Sequence, residues 1–375
     1  MHDVLIIGGG VIGLSLAWDL AKHGQRVHVI DRGEPGKESS WAGAGILPPA
    51  VRAKAIHPLD QLRALTSELH PQWAQQLKEL TGIDTGYRVC GGLYLARSAG
   101  EAASLAAWAD STAEEGVAVQ RLTSDELFQL EPSLRGPSSP IRVAYRLPQE
   151  AQLRNPRHLQ ALLAACLQAG VKITSQLEAV EFAIVGSELS GVITPFDTLR
   201  AHRYCIASGA WTGQICQRLG IELGVFPMRG QMVLFNTDRE GSTFPAPLLT
   251  HILNEGSRYL VPRDDGRILA GSTEEEVGFD KQTTAEGIEE LVTFARNLVP
   301  GLKDAMIERT WAGLRPTSFD GLPYIGALPG LSNAVVATGH FRSGIYLSPA
   351  TAVVTSQLLR DERAAIDLAP FRVIR

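Results

Sequence analysis

The sequence predicts an α/β fold with two domains: a discontinuous one built on a parallel sheet, and an α+β one with a large antiparallel sheet. Three observations support this prediction. The chain opens with a strand, a glycine-rich loop, a helix and a second strand. Alternating helices and strands return near residue 155, whereas short stretches of alternating polarity dominate from about residue 223. We therefore expect separate pieces of the chain to build the parallel sheet.

Composition limits the classes of function. The 375 residues, 45% hydrophobic and 20% charged, suffice for two cores, and a net charge of −5 offers no basic stripe for nucleic acid or an anionic membrane surface. Cys90, Cys166, Cys205 and Cys216 are scattered, so we expect reduced thiols rather than disulfides or a metal site. Without a signal peptide or an apolar run of ~18 residues, we predict a cytoplasmic protein with no membrane span. Oligomeric state stays open, a homo-oligomer included.

The opening stretch MHDVLIIGGGVIG has the spacing of a dinucleotide-binding loop. Residues 3–7 are typical of a buried parallel strand, and apolar residues follow at helical spacing as far as Gly24. Gly8, Gly10 and Gly13 occupy the G-x-G-x-x-G positions. The first allows a tight turn, the second a close approach to a pyrophosphate, and the third close packing of helix on strand. The helix N-terminus would then face the phosphates.

The next strand, RVHVID, ends in an acid that extends this pattern. Asp31 lies 18 residues after Gly13, near the usual offset for a carboxylate that binds ribose hydroxyls. A glycine-rich turn without a ligand is the alternative, but strand, helix, second strand and acid in register favour a bound dinucleotide. We assign Val11, Ile12 and Arg32 to the same site. The motif does not separate NAD from FAD.

The residues after Asp31 resemble those of a known family, and this resemblance distinguishes FAD from NAD. Strand, glycine motif, acid and then SSWAGAGIL resemble the D-amino-acid oxidase superfamily of flavoproteins, most closely its glycine oxidase branch of the thiamine-pathway type. The resemblance implies a Rossmann-like FAD-binding domain. By position it places five residues against FAD: Ser39, Ser40, Ala44, Gly45 and Ile46.

The middle of the chain fits a discontinuous cofactor domain. In order, the patterns predict a helix over 58–80, a strand pair over 86–98, a helical stretch over 101–130 restarting near Thr123, and a helix from 155 that ends at Gly170 and leads into a strand. RYCIASGAWTGQICQRLG then indicates a strand, a glycine turn and a helix. The resemblance implies that Val180 lies against adenine and that Gly209 approaches the cofactor.

The last part of the chain predicts strands from 223, a turn at 264–266, a helix over 284–299, an antiparallel pair and a closing helix. We assign residues 1–80, 150–222 and 320–375 to the FAD-binding domain, and 81–149 and 223–319 to the substrate-binding domain. The loop GHFRSGI can direct backbone N–H groups at the flavin N1–C2=O edge. We assign seven loop and helix residues to the cofactor: His340, Phe341, Arg342, Ser343, Gly344, Ile345 and Tyr346.

Arg315, in AGLRPTS, is the predicted carboxylate-binding residue. A bidentate guanidinium suits an amino-acid carboxylate, and a surface pair with Asp320 is the alternative. Tyr259 would add a phenol hydroxyl, unless it only packs in the core. By resemblance Arg342 lines the substrate side of the flavin, with a purely structural clamp as its alternative. His340 is expected to contact the flavin through its backbone rather than to act as a general base.

Glu274 departs from the glycine oxidases that the chain resembles. The resemblance implies an apolar residue over the substrate at this position. Directed inward, its carboxylate would select a larger or cationic amine. Directed outward, it would leave glycine or sarcosine as the first candidates. We assign it to the substrate site.

These motifs are not accompanied by a Ser–His–Asp triad pattern, a metal-binding cluster or a pair of carboxylates. We therefore expect the cofactor to carry out the redox step. The resemblance implies hydride transfer from a small amino acid or amine to flavin N5, hydrolysis of the imine to an oxo acid and ammonia, and reoxidation by O2 to hydrogen peroxide. It also implies noncovalent FAD, since covalent relatives use a cysteine in the C-terminal third and the last one here is Cys216. A sarcosine-type oxidase, a D-amino-acid dehydrogenase and a non-catalytic FAD-carrying subunit remain alternatives.

Overall fold

The computed structural model describes residues 1–136, 140–237 and 247–375. Its helices are α1 (Val11–Lys22), α2 (Ser39–Ala42), α3 (Pro58–Thr81), α4 (Ala99–Glu114), α5 (Ser124–Leu130), α6 (Asn155–Gln168), α7 (Thr212–Gln217), α8 (Ala285–Leu298) and α9 (Gly344–Leu359). Its strands are β1 (His2–Ile7), β2 (Val27–Ile30), β3 (Ile46–Leu47), β4 (Arg88–Val89), β5 (Gly92–Ala96), β6 (Gln120–Leu122), β7 (Val143–Leu147), β8 (Ala151–Gln152), β9 (Lys172–Thr174), β10 (Glu181–Val185), β11 (Glu188–Ile193), β12 (Thr198–Leu199), β13 (Ala201–Ile206), β14 (Val225–Asn236), β15 (Ile252–Glu255), β16 (Arg258–Pro262), β17 (Arg267–Gly271), β18 (Met306–Ser318), β19 (Tyr324–Ala327) and β20 (Ala334–Thr338).

A six-stranded sheet forms the first layer, in the order β19-β20-β13-β1-β2-β9. All its pairings are parallel except that of β19 with β20. Val4 and Ile6 of the central strand face one core, and Leu5 and Ile7 face another. A parallel strand that is covered on both sides requires a continuous apolar run, which explains the sequence VLII.

Helices cover one face of this sheet and a small sheet covers the other. Leu14 of α1, Trp73 of α3, Leu162 of α6 and Ala350 of α9 share the first core. On the opposite face, Leu189 and neighbouring residues of the antiparallel sheet β10-β11-β12 pack against β1. The ends of the parallel strands are thereby held between two layers.

An eight-stranded sheet forms the second body, in the order β18-β14-β17-β16-β15-β5-β7-β6. Its pairings are antiparallel except that of β15 with β5. Leu260 and Phe235 point to a core with α8, where Phe294 packs. Because side chains alternate along a strand, Tyr259 lies on the opposite face. That face is available for a ligand site.

Most predicted elements are confirmed, including the helix over 58–80, the antiparallel pair before the closing helix, and the capping box of α5, in which Thr123 accepts the backbone N–H of Glu126. The predicted pairing of two strands within 86–98 is wrong, because the two strands form there but do not pair with each other. β4 joins β8, whereas β5 joins β7 and β15, because Gly91 between them has φ 76° and turns the chain into a different sheet. A strand was expected around Val180, where β10 begins one residue later, but the strand β6 and the pairing of β10, β11 and β12 into an antiparallel sheet were not predicted.

The strands of the six-stranded sheet all lie within 1–80, 150–222 and 320–375, and those of the eight-stranded sheet within 81–149 and 223–319. The small sheet β3-β8-β4 joins the two sets of residues. The exact domain division stays a prediction. All four cysteines are free thiols, as predicted, and all but Cys90 are buried.

Within the described ranges, none of the helices combines the length and the apolar character that a membrane crossing requires. Over the same residues, no three His, Cys, Asp or Glu side chains come together as a possible metal site.

Candidate active site

A cavity of about 730 Å³ lies between the ends of the parallel strands and the open face of the eight-stranded sheet. A site at the carboxyl ends of parallel strands is the expected place for a nucleotide. Many residues assigned from the sequence line it: Gly8, Gly10, Val11, Ile12, Asp31, Arg32, Ser39, Ser40, Ala44, Gly45, Ile46, Gly209, Tyr259, Arg315, His340, Phe341, Arg342, Ser343, Gly344, Ile345 and Tyr346. Gly13, Val180 and Glu274 do not line it.

The glycine loop is shaped for close approach of a ligand to the backbone. Gly8 has φ 113°, and a Cβ there would lie 2.4 Å from the Ala207 carbonyl oxygen. A Cβ at Gly13 would lie 1.9 Å from the Gly8 carbonyl oxygen, so Gly13 lets α1 pack on β1 and need not touch a ligand. The N-terminus of α1 opens onto the cavity at Gly10, which has no side chain to cap the helix, and among the described residues only the first helical N–H, that of Val11, is bonded to a side chain, the Ser40 hydroxyl. These features fit the pyrophosphate of FAD.

Asp31 organises the glycine loop as well as facing the cavity. One carboxylate oxygen accepts the backbone N–H of Gly9 at 2.7 Å, and the other accepts that of Gly33 at 2.8 Å. Each carboxylate oxygen can accept a further hydrogen bond, so a ribose hydroxyl can still be bound. The guanidinium carbon of Arg32 lies 3.9 Å from the centre of the Trp211 ring, which holds Arg32 at the cavity wall.

Polar contacts with residues that are distant in the chain hold the segment from Ser39 to Ile46 in place. The Ser40 hydroxyl accepts the Val11 N–H at 2.9 Å, and Asn155 donates to the Ser40 carbonyl at 2.8 Å. The buried Arg263 guanidinium donates to the Ala44 carbonyl at 2.7 Å. Burial lowers the pKa of Arg263 to about 9. Sequence reasoning missed Arg263 and Asn155, whose partners are distant in the chain.

Val180 lies outside the cavity, contrary to its assignment. Its side chain is 40% exposed, and its N–H donates to the Ile193 carbonyl at 2.8 Å. The three preceding residues, Leu177, Glu178 and Ala179, line the cavity instead. The chain thus reaches the cavity just before it joins the β10-β11 hairpin, and the contact with adenine stays a prediction.

The loop between β20 and α9 brings backbone groups to the opposite wall. Phe341 has φ 48°, an uncommon conformation for a residue with a side chain, and the helix begins at Gly344 without a side-chain cap from a described residue. Strained backbone of this kind is concentrated at functional sites. The contact of these N–H groups with the flavin edge stays a prediction.

His340 is placed as a structural residue. Its ring is buried, and Nε2 lies 3.0 Å from the Thr351 hydroxyl. Burial lowers the pKa of His340 to about 3. A ring that is neutral at pH 7 and so weakly basic is unsuited to accept a proton from substrate.

Arg315 directs a partly buried cation into the cavity. Its guanidinium donates to the Ser272 hydroxyl at 2.6 Å and to the carbonyls of Thr273 at 3.2 Å and Arg229 at 3.3 Å. These three partners are neutral. Burial lowers the pKa of Arg315; the nearby Arg342 acts in the same direction, whereas Tyr259 and the Glu274 carboxylate oppose it. Within the described chain no carboxylate forms an ion pair with this guanidinium, so its charge is available to an anion.

The alternative partner of Arg315 is engaged elsewhere. Asp320 accepts a bidentate pair of hydrogen bonds from Arg375, at 2.7 Å from Nε and 2.6 Å from Nη2. The surface pair of Arg315 with Asp320 is therefore wrong.

Tyr259 stands beside this cation. It interacts favourably with the Arg315 guanidinium, and its hydroxyl lies 3.5 Å from the Met232 sulfur. A Cβ at Gly271 would lie 2.7 Å from the tyrosine ring, so glycine there makes room for Tyr259. Tyr259 is thus placed to add a hydroxyl to whatever Arg315 binds.

Arg342 and Glu274 form an ion pair at the edge of the cavity. Arg342 Nη2 donates to Glu274 Oε2 at 2.6 Å, and Arg342 Nη1 donates to the Ser257 carbonyl at 3.1 Å. The side chains are 31% and 40% exposed. Glu274 thus points neither into the cavity nor freely into solvent, but at Arg342.

Sequence reasoning missed a polar row on the same wall. Across neighbouring strands Tyr259 is opposite Asn254, and Asn254 is opposite Tyr94, and all three line the cavity. Behind them, Glu150 is fully buried, accepting the Tyr94 hydroxyl at 2.5 Å and the Asn254 amide at 3.3 Å. Burial raises the pKa of Glu150 to about 7. The alternation in GGLYLA could have indicated the face on which Tyr94 lies.

The arrangement agrees with the likeness of this chain to known proteins. The family described as FAD dependent oxidoreductase matches residues 3–358. Glycine oxidase of Pseudomonas putida is 36% identical over 370 residues, which cover 98% of this chain and 97% of the relative. The crystal structure of glycine oxidase from Geobacillus kaustophilus superposes with a TM-score of 0.92 at 34% identity, covering 100% of this chain and 98% of that chain.

A further relative is a longer protein. The bifunctional protein ThiO/ThiG of Synechocystis sp. is 32% identical over 367 residues, covering 97% of this chain and 52% of the relative. About half of that relative thus corresponds to this chain.

Proposed function

The chain belongs to the FAD dependent oxidoreductase family and is an FAD-dependent amino-acid oxidase, and from this premise we propose that it oxidises glycine or another small or N-methyl amino acid. The products are the oxo acid, ammonia or an amine, and hydrogen peroxide. The observation that supports this substrate class is Arg315, a partly buried cation on the cavity wall that forms no ion pair with a carboxylate in the described chain.

The substrate carboxylate binds Arg315 through two parallel hydrogen bonds, and the Tyr259 hydroxyl donates to the same group. The three neutral contacts of Arg315 fix the guanidinium before substrate arrives, so little side-chain entropy is lost on binding. His340 is not the general base of this reaction, since its ring is buried and burial lowers its pKa to about 3. The substrate therefore reacts with a neutral amine, whose proton is lost before oxidation.

The glycine loop, Asp31 and the segment from Ser39 to Ile46 would hold FAD noncovalently. When bound, FAD supplies the acceptor for the Cα hydride and passes the electrons to O2. The N-terminus of α9 would place positive potential beside the flavin ring. In the overall reaction an amino acid, O2 and water give an oxo acid, ammonia and hydrogen peroxide.

Oxygen uptake with glycine, sarcosine, D-alanine and D-proline tests the substrate. We expect glycine or sarcosine to give the highest kcat/KM, with one peroxide formed per O2 consumed in a peroxidase-coupled assay. Anaerobic bleaching of the flavin by an amino acid, without O2 uptake in air, would point to a dehydrogenase with another acceptor. Failure of every amino acid to bleach the flavin would reject the proposal and favour a non-catalytic FAD-carrying subunit.

We also place this activity in thiamine biosynthesis, on the resemblance of the chain and on its relative named ThiO/ThiG. A deletion strain that lacks the gene for this chain should then require thiamine or its thiazole precursor for growth. Normal growth without either compound would reject this placement and leave the oxidase activity unaffected.

A further inference from the structure

The ion pair of Arg342 and Glu274 connects two separate parts of the site. Arg342 lies in the loop before α9, whereas Glu274 and Ser257 belong to the eight-stranded sheet and its loops. Both side chains are partly exposed, so solvent can reach the pair. A partly exposed ion pair contributes little to stability, typically below about 1 kcal/mol. The role of this ion pair is therefore explained better by its effect on ligand binding in the site than by its effect on stability.

Arg342 and Arg315 are neighbours. Their guanidinium carbons lie 5.7 Å and 5.9 Å from the centre of the same Phe341 ring, and both residues line the cavity. The hydrogen-bond partners of Arg315 within the described residues are all neutral, and Glu274 acts on it only through space, whereas Arg342 forms a direct ion pair with Glu274. The cavity therefore contains one available cation and one that is already occupied.

We propose that Glu274 determines specificity by occupying Arg342, which restricts the site to amines that carry a single carboxylate. This inference rests on the proposed function. A substrate with a second carboxylate would have to displace Glu274 from Arg342 and would then be repelled by the displaced charge. Specificity that depends on a repulsive group is a common way to exclude a close analogue.

The same geometry argues against a cationic substrate group at Glu274. Arg342 already supplies the cation, at 2.6 Å from the carboxylate oxygen. When Glu274 is removed, Arg342 keeps its hydrogen bond to the Ser257 carbonyl and stays at the cavity edge. It can then bind a second carboxylate through its free N–H groups.

Sarcosine and iminodiacetate test this inference as a matched pair, because they differ only in a second carboxylate on the N-substituent. The measurement is the ratio of kcat/KM for iminodiacetate to that for sarcosine. In Glu274→Ala we expect this ratio to rise about tenfold or more, the effect of one charge-assisted hydrogen bond. Glu276→Ala removes the same charge from an exposed neighbour and should leave the ratio unchanged.

A binding measurement separates the inference from catalysis. Methoxyacetate and oxydiacetate, the corresponding ethers, lack the amine nitrogen that becomes the imine when the Cα hydride leaves, so they bind without being oxidised, and their Kd values can be read from the visible spectrum of bound FAD. We expect the Kd of oxydiacetate, relative to that of methoxyacetate, to fall about tenfold or more in Glu274→Ala. Arg342→Gln added to that variant should abolish the gain. Glu274→Gln serves if the alanine variant fails to fold.

An unchanged ratio in the Glu274 variants, or an equal rise in Glu276→Ala, would overturn the role of Glu274. A gain that persists without Arg342 would overturn the role of Arg342. If the wild type oxidises no amino acid at all, the proposed function fails, and the two ethers still decide the specificity inference.

Discussion

Replacement of Arg315 by alanine should disable substrate binding and leave FAD in place. The guanidinium is partly buried on the cavity wall, and its hydrogen bonds go to the Ser272 hydroxyl and to the carbonyls of Thr273 and Arg229. None of these partners belongs to the glycine loop or the segment from Ser39 to Ile46. The change therefore removes the partner of the substrate carboxylate without touching the groups that we assign to the dinucleotide.

The size of the effect follows from the burial and from the neutral partners of Arg315. In the complex, the substrate carboxylate is the only anion proposed to pair with this guanidinium. Removal of one member of a buried charged pair costs about 3–5 kcal/mol. Since each 1.36 kcal/mol is tenfold, kcat/KM should fall by about a hundredfold to several thousandfold. Arg315→Lys should recover little, because a point charge does not reproduce the planar fork.

The assay compares kcat/KM for glycine or sarcosine with that for a matched amine lacking the carboxylate, in the wild type and in Arg315→Ala. The ratio should collapse in the variant, while the visible spectrum of bound FAD stays the same. If the ratio does not move, Arg315 has only a structural role in the β14-β18 pair, and the amino-acid assignment loses its main support.

Three further predictions concern the cofactor and pH. Acid or heat precipitation should release FAD into the supernatant, because the chain has no cysteine beyond Cys216 for covalent attachment; a yellow pellet would contradict this. Asp31→Ala should weaken FAD binding to the apoprotein by at least about 1–3 kcal/mol in a fluorescence titration, since the carboxylate also holds Gly9 and Gly33; an equal Kd would reject the role. Glu150→Gln should gain stability relative to the wild type as pH rises from about 5 to 8, measured by urea unfolding.

The direction of the Glu150 effect comes from its raised pKa. Burial raises this pKa from 4.5 to about 7, so the folded protein binds the proton more tightly than the unfolded chain. The wild type therefore loses stability as pH rises through 7, by up to about 3 kcal/mol, and glutamine has no proton to lose. If the difference in the free energy of unfolding between the two proteins stays constant from pH 5 to 8, ionisation of Glu150 does not destabilise the fold.

Several features could be predicted from the sequence because they depend on residues close together in the chain. The strand, glycine loop and helix that begin the chain, and the capping box at Thr123, are local patterns whose geometry follows from backbone sterics and neighbouring hydrogen bonds. Arg315 and Tyr259 were found through a resemblance in strand segments, and the structure brings both to one cavity. The sequence by itself thus determined the architecture, the FAD family and the two candidate substrate-binding groups.

The partners of the charged side chains were decided by the tertiary structure alone. Glu274 pairs with Arg342 across 68 positions, Asp320 with Arg375 across 55, and Glu150 receives the Tyr94 hydroxyl across 56. A local pattern carries no record of which strands become neighbours or how deeply a carboxylate is buried. Because electrostatic energy depends on distance and burial, the choice between a substrate ligand, a surface pair and a protonated buried acid is made only when the sheets assemble.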